Sequence, residues 1–231
     1  MRSKKIIFCL LLIGMMILGG AEKGACVTYV GSLTGGGGGI DATAQWNSTS
    51  TTFAWTVKDV GAVGGSILWQ YDYTFTVPDK NISHLLLEVT DPAAFTDFRV
   101  LTLSPSNDSP KNFTPGDGNS NPNMPGNLYG LKYEVTNTNT YTFSFTTLRS
   151  PVWGDFYAKD GKSGGPGGGI DVTAWNTGFL NTDPLDAPKD GSVDYHILRP
   201  DGYTPVPIPA AFWLLGTGLL GLVWLRRKFP K

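Results

Sequence analysis

The stretch ILWQYDYTFTV (67–77) admits one local structure. Ile67, Trp69, Tyr71, Tyr73, Phe75 and Val77 fall on one side of an extended chain, and Gln70, Asp72, Thr74 and Thr76 on the other. A strand alternates its side chains between two faces, whereas a helix of this sequence would scatter its aromatic rings around the whole circumference. The alternation returns in LYGLKYEVT, where Tyr129, Leu131, Tyr133 and Val135 oppose Lys132, Glu134 and Thr136. It returns again in TYTFSFTTL, where Tyr141, Phe143 and Phe145 oppose Thr142, Ser144 and Thr146. Asn137-Thr138-Asn139, between these last two, has the length and composition of a hairpin connection.

Shorter strand candidates are CVTYVGSL, TTFAWTV, HLLLEVT, FRVLTL, WGDFYA, IDVTAW and VDYHIL. Between the two ends of the chain no stretch carries a helical period. About ten short strands separated by Gly, Pro and Asn clusters predict an all-β fold. The expected form is an antiparallel two-sheet β-sandwich, jelly-roll or Ig-like, with aromatic rings on its inner faces. The segment 104–127 (SPSNDSPKNFTPGDGNSNPNMPGN) is too rich in Pro, Asn and Gly for a strand and reads as a long surface loop.

Both ends differ from this middle. Arg2, Lys4 and Lys5 precede the apolar run Ile6 to Leu18, and Gly19, Gly20 and Ala21 follow it. That order is a secretory signal peptide, residues 1–21, with cleavage after Ala21 and a second choice after Ala25. Lys23 stands where a lipoprotein signal ahead of Cys26 would carry an aliphatic residue. Residues 22–199 form the exported domain, and 200–209 a Pro-rich linker. Ala210 to Leu225 is uncharged and corresponds to roughly 24 Å of helix, read as a short transmembrane segment. The basic tail 226–231 stays cytoplasmic, which places the domain on the export side.

The stretch VPIPAAFWLLGTGLLGLVWLRRK resembles a PEP-CTERM protein-sorting signal of the Val-Pro-Leu-Pro-Ala variant. Val206, Pro207, Ile208, Pro209 and Ala210 match the proline motif, with Ile208 where many members carry Glu. Gly216, Gly218 and Gly221 match the glycine-bearing span, and Arg226 and Arg227 the basic cluster. The resemblance covers about the last 26 residues and implies processing by an exosortase, a membrane-embedded transpeptidase-like enzyme. It also implies a Gram-negative host that makes exopolysaccharide. The chain is then held in the inner membrane with its domain on the periplasmic side, and is afterwards delivered to the cell surface or the extracellular biofilm matrix.

Charge narrows the partners. Seven of the 18 basic residues lie in the two ends, and all 19 acidic ones lie between them. Eleven basic against nineteen acidic residues leave the exported part at −8, a surface that repels nucleic acid. Cys9 departs with the signal peptide, so Cys26 is the single cysteine of the mature chain and no internal disulfide forms. Cys26 is expected in or just before the first strand, buried or inert.

One motif occurs twice. GGGGGIDATAQW (35–46) returns as GGPGGGIDVTAWN (164–176). In one reading Asp41 and Asp171 are carboxylates beside flexible carbonyls, oxygen chemistry suited to Ca²⁺. In the other, both are glycine loops leading into similar edge strands. A second oxygen-rich stretch offers Asp117, Asn119 and Asn121, but Pro122 and Leu128 replace the Gly and closing Glu of an EF-hand loop. Ca²⁺ is therefore the one ion considered, and no cofactor is implied.

Enzyme signatures fail on context. Gly161-Lys162-Ser163-Gly164-Gly165 has the spacing of a nucleophile elbow, but Pro166 and glycines follow where a helix is required. His84 and His196 read as ordinary strand residues, since zinc would need a third ligand that no spacing indicates. The expected function is thus a non-enzymatic surface or matrix protein. The alternative is a carbohydrate-binding or adhesive module using Trp46, Trp55, Trp153 and Trp175, with exopolysaccharide as its partner. A secreted polysaccharide hydrolase comes third.

Overall fold

A computed structural model describes residues 26–90, 99–100, 110–115, 120–160 and 171–201. The signal peptide, Asp117, Asn119, the linker beyond Asp201, the Val206–Ala210 motif, the transmembrane segment and Arg226 and Arg227 lie outside these residues, and Pro200, read as the start of the linker, closes the last strand instead. Among the described residues no helix is long and apolar enough to cross a membrane.

The described chain is all-β. Its strands are β1 (Thr28–Thr34), β2 (Ile40–Ala42), β3 (Thr52–Val63), β4 (Ser66–Thr76), β5 (Ile82–Glu88), β6 (Arg99–Val100) and β7 (Lys111–Phe113). They continue as β8 (Leu128–Thr138), β9 (Thr140–Thr147), β10 (Pro151–Gly154), β11 (Phe156–Asp160), β12 (Thr173–Asn176) and β13 (Ile197–Pro200). A single 3-10 turn spans Ala44–Trp46. One sheet has the order β1-β3-β4-β9-β6 and the other β2-β12-β11-β5-β8-β7, while β10 and β13 form a separate pair. All ladders between these strands are antiparallel.

The two sheets face one another across an aromatic core, in the manner of a sandwich. On β4 the residues Trp69, Tyr71, Tyr73 and Phe75 are buried while their neighbours are half-buried, as the alternation predicts. Ile67 departs from it: near the turn that joins β3 to β4, it is 43% exposed. Phe53 of β3 stacks on Phe156 of β11 at 4.3 Å between ring centres. Phe143 of β9 meets Tyr133 of β8 at 4.2 Å. Offset aromatic pairs of this kind contribute about 0.5–1.5 kcal/mol each beyond the area they bury.

The connection at Asn137 is not a hairpin. β8 pairs with β5 and β7, while β9 pairs with β4 and β6, so the chain passes from one sheet to the other. Asn137 turns it there with a φ of 51°. The step from β4 to β5 crosses the same edge, and the two arches are joined by Val77 N–H donating to Asn139 O at 2.8 Å. The physical reason lies in the side chains: Tyr133 and Phe143 are both apolar-face residues, and an arch lets those faces meet where a hairpin would set them side by side.

The 104–127 segment also needs correcting. Lys111–Phe113 pairs with β8 as an edge strand. Phe113 and Met124 are buried with Leu86, Leu128, Tyr157 and Phe179 in a second apolar cluster. This cluster covers the outer face of the second sheet, which is why β5 reads HLLLEV without alternation. Cys26 lies just ahead of β1 and is exposed, its thiol donating to Asp59 O.

Candidate functional site

The site forms where two strand readings break. WGDFYA is not one strand, because the chain changes partners at Asp155: β10 pairs with β13, and β11 runs between β5 and β12. At that corner the Asp155 N–H has no ladder partner and donates to Glu88 Oε2 at 2.7 Å. VDYHIL likewise is not one strand. Asp194 and Tyr195 have φ of 46° and 62°, and His196 N–H returns to Val193 O at 2.8 Å. Two successive left-handed residues make a tight turn of the I′ kind, a conformation that Tyr adopts rarely. The turn carries His196 inward, at the start of β13.

Asp155, Asp183 and His196 converge there, each offering a ligand atom within 4.8 Å of the others. His196 is fully buried. Its Nε2 lies 3.7 Å from Asp155 Oδ1 and 3.8 Å from Asp183 Oδ1. Its Nδ1 is 3.2 Å from Val193 O. Asn176 Nδ2 donates to Asp155 Oδ1 at 2.6 Å. Arg199, from β13, donates to Asp183 Oδ2 at 2.7 Å and to Thr90 Oγ1 at 2.6 Å, and lies 3.5 Å from Glu88 Oε1.

Burial dominates the electrostatics. It pushes the Asp155 carboxyl up to about 7 against the opposing hydrogen bond from Asn176, and the Glu88 carboxyl up to about 8 against the nearby Arg199 charge. Two glycines make room for the cluster. A Cβ on Gly178 would lie 2.6 Å from His196 Cε1, and one on Gly154 would lie 2.6 Å from Glu88 Oε2 and collide with Arg199. Asp183 is the open side, 31% exposed in its side chain. A hollow of about 400 Å³ between Thr90, Trp153, Pro184 and Leu185 opens on Asp183 and Arg199.

Apart from Trp153, which borders this hollow, the described residues singled out from sequence lie elsewhere. The repeated motif pairs with itself: β2 and β12 are antiparallel neighbours, with Thr43 N–H donating to Thr173 O and Thr173 N–H to Thr43 Oγ1, both at 2.9 Å. Asp41 is exposed on β2. Asp171 sits 3.4 Å from Lys159 Nζ. Asn121 is buried, its amide oxygen accepting from His84 Nε2 at 3.2 Å. Trp46, Trp55 and Trp153 are buried at 0%, 2% and 1% exposure, so none offers a ring face to solvent. Trp175 is half-buried against the second cluster.

The sequence reading missed Asp155, Asp183 and Glu88, and took His196 for a strand residue. The one local signal was Asp194-Tyr195 ahead of His196, a turn that the alternation of VDYHIL concealed. These features define an antiparallel all-β domain with a buried acidic cluster at one corner. No protein-family model matches this chain, and neither does any curated protein or solved structure.

Proposed function

We propose that this is an exported, non-enzymatic protein of the cell surface or extracellular matrix, sorted through its C-terminus by an exosortase. The observation that carries the reading is the order of Val206-Pro207-Ile208-Pro209-Ala210, an uncharged span and Arg226-Arg227 at the end of the chain. The signal-like N-terminus supports the same direction of export. The position of the domain is compatible with such handling. The last backbone group described is Asp201 N–H, bonded to Ser150 O at 2.8 Å, and the motif follows shortly after it. The domain itself is read as a jelly-roll or Ig-like passenger, linked to exopolysaccharide and biofilm through the sorting route.

Intact mass tests this reading. Chain recovered from cells with an active exosortase lacks the residues from the motif onward, and chain from cells without the enzyme retains them. Retention of the tail in both strains overturns the proposal.

A further inference from the structure

We propose that Asp155, Asp183 and His196 bind one divalent transition-metal ion of the zinc class. The inference is independent of the export route and rests on the arrangement at the corner of the sandwich. Val193 O is a carbonyl and only accepts, so the ring hydrogen of His196 sits on Nδ1, 3.2 Å away. In the neutral ring Nε2 is then a lone pair. That atom is buried, makes no hydrogen bond, and has Asp155 Oδ1 and Asp183 Oδ1 as its nearest charged neighbours at 3.7 and 3.8 Å. A lone pair facing two carboxylate oxygens is repulsive, and removal from water strengthens the repulsion. A cation among the three atoms reverses its sign.

Charge and geometry agree on the kind of cation. Arg199 pairs with Asp183 and lies against Glu88, while Asp155 Oδ1 has only Asn176 and His196 beside it, so the corner holds more carboxyl groups than fixed cations. Neighbouring ligand atoms around tetrahedral zinc stand about 3.3 Å apart, so the two histidine–carboxylate distances of 3.7 and 3.8 Å close by roughly half an ångström on binding, while the two carboxylate oxygens start within 4.8 Å of each other. An imidazole nitrogen among the ligands favours the zinc class over Ca²⁺, which takes oxygen. Two ligands are held through their far atoms, His196 Nδ1 by Val193 O and Asp183 Oδ2 by Arg199, while Asn176 fixes Asp155 through Oδ1 itself. Such outer partners fix tautomer and orientation in metal sites. Three protein ligands leave a fourth position for water on the side of Asp183, the exposed member of the three.

The rival occupant is a second proton, because an imidazolium would satisfy the same lone pair without metal. The full chain, purified in detergent without a histidine tag and stripped by chelator, is titrated with Zn²⁺ alone by calorimetry. Co²⁺ is added in parallel for its visible bands, and the His196 ring nitrogens are followed by NMR. The expected result is one Zn²⁺ per chain, a rise in Tm with Zn²⁺, and a deprotonated, metal-shifted Nε2. Asp183→Asn keeps the shape of the open side and weakens binding by roughly 10–100-fold or more. His196→Gln abolishes binding; should it fail to fold, Asp183→Asn decides the matter. No stoichiometric binding, unchanged affinity in Asp183→Asn, or a ring still protonated at both nitrogens under saturating Zn²⁺ each overturns the site. Ca²⁺ displacing Zn²⁺ at equal concentration overturns its assignment to the zinc class.

Discussion

At the scale of single residues, the two histidines show how environment decides chemistry. His196 faces carboxylates, whereas His84 on β5 is enclosed by the loop that carries Asn121. Burial, and next the positive charge of Lys132, bring the His84 imidazole down to about 4, with Glu134 and the Asn121 bond opposing. An unfolded chain titrates this group near 6.5, so between those values the unfolded state binds the extra proton. Stability therefore falls as pH drops from about 6.5 to about 4, by roughly 3 kcal/mol at the lower limit. In His84→Gln that share disappears, so denaturation midpoints of variant and parent should converge in acid after diverging at neutral pH. Parallel curves over the whole range would remove the basis of this assignment. The strand pattern does not separate the two histidines, because each sits within a short strand-like run. What separates them is which distant loops fold over them.

At the scale of elements, strands were legible and their partners were not. The period of two in 67–77, 128–136 and 140–147 depends only on which side chains are apolar; the burial of β4 from Trp69 and of β8 from Leu131 follows it, whereas in β9 Ser144 and Thr146 are buried together with Phe143 and Phe145. Whether β8 and β9 lie side by side or face to face depends on one peptide turn. Asn137 at φ 51° supplies that turn. Asn tolerates the left-handed region, while a β-branched residue does not. Asn137→Val should destabilise the protein by about 1–2 kcal/mol, and Asn137→Gly should leave stability within about 0.5 kcal/mol. Urea denaturation of the purified chain measures both; equal losses would mean that the side chain, and not the backbone turn, holds the arch. The repeated Ile-Asp-x-Thr-Ala motif belongs at this scale too. Its two copies meet across Thr43 and Thr173, so the likeness between them is that of two strands satisfying each other's backbone. Thr43 Oγ1 supplies an acceptor for a buried Thr173 N–H, which gives the threonine a structural purpose apart from any ion.

At the scale of the molecule, stability is concentrated where the sheets meet. Phe156 stacks on Phe53 and packs beside Phe75, with no exposed surface. Phe156→Ala leaves a cavity between the sheets and should cost about 3–5 kcal/mol, with the loss appearing as a lower denaturation midpoint. A loss under about 1 kcal/mol would indicate sheets that do not depend on each other through this contact. The same position links core to site: Phe156 N–H donates to Asn176 Oδ1, and Asn176 Nδ2 donates to Asp155. The acidic corner is thus braced by the core, and a loosened core should also loosen the proposed metal ligands.

The sequence by itself determined the all-β class, the inward aromatic face of each long strand and the separate character of the two chain ends. Each of these follows from side-chain type and spacing along a local stretch. The tertiary structure alone decided that β8 and β9 belong to different sheets, that Phe113 and Met124 close over Leu86 of β5, and that Asp155, Asp183 and His196 meet. Those outcomes depend on turns of one or two residues in left-handed conformations and on contacts between segments distant in sequence. A hydrophobic pattern carries no record of either, since it reports which face a residue prefers but not what lies opposite that face.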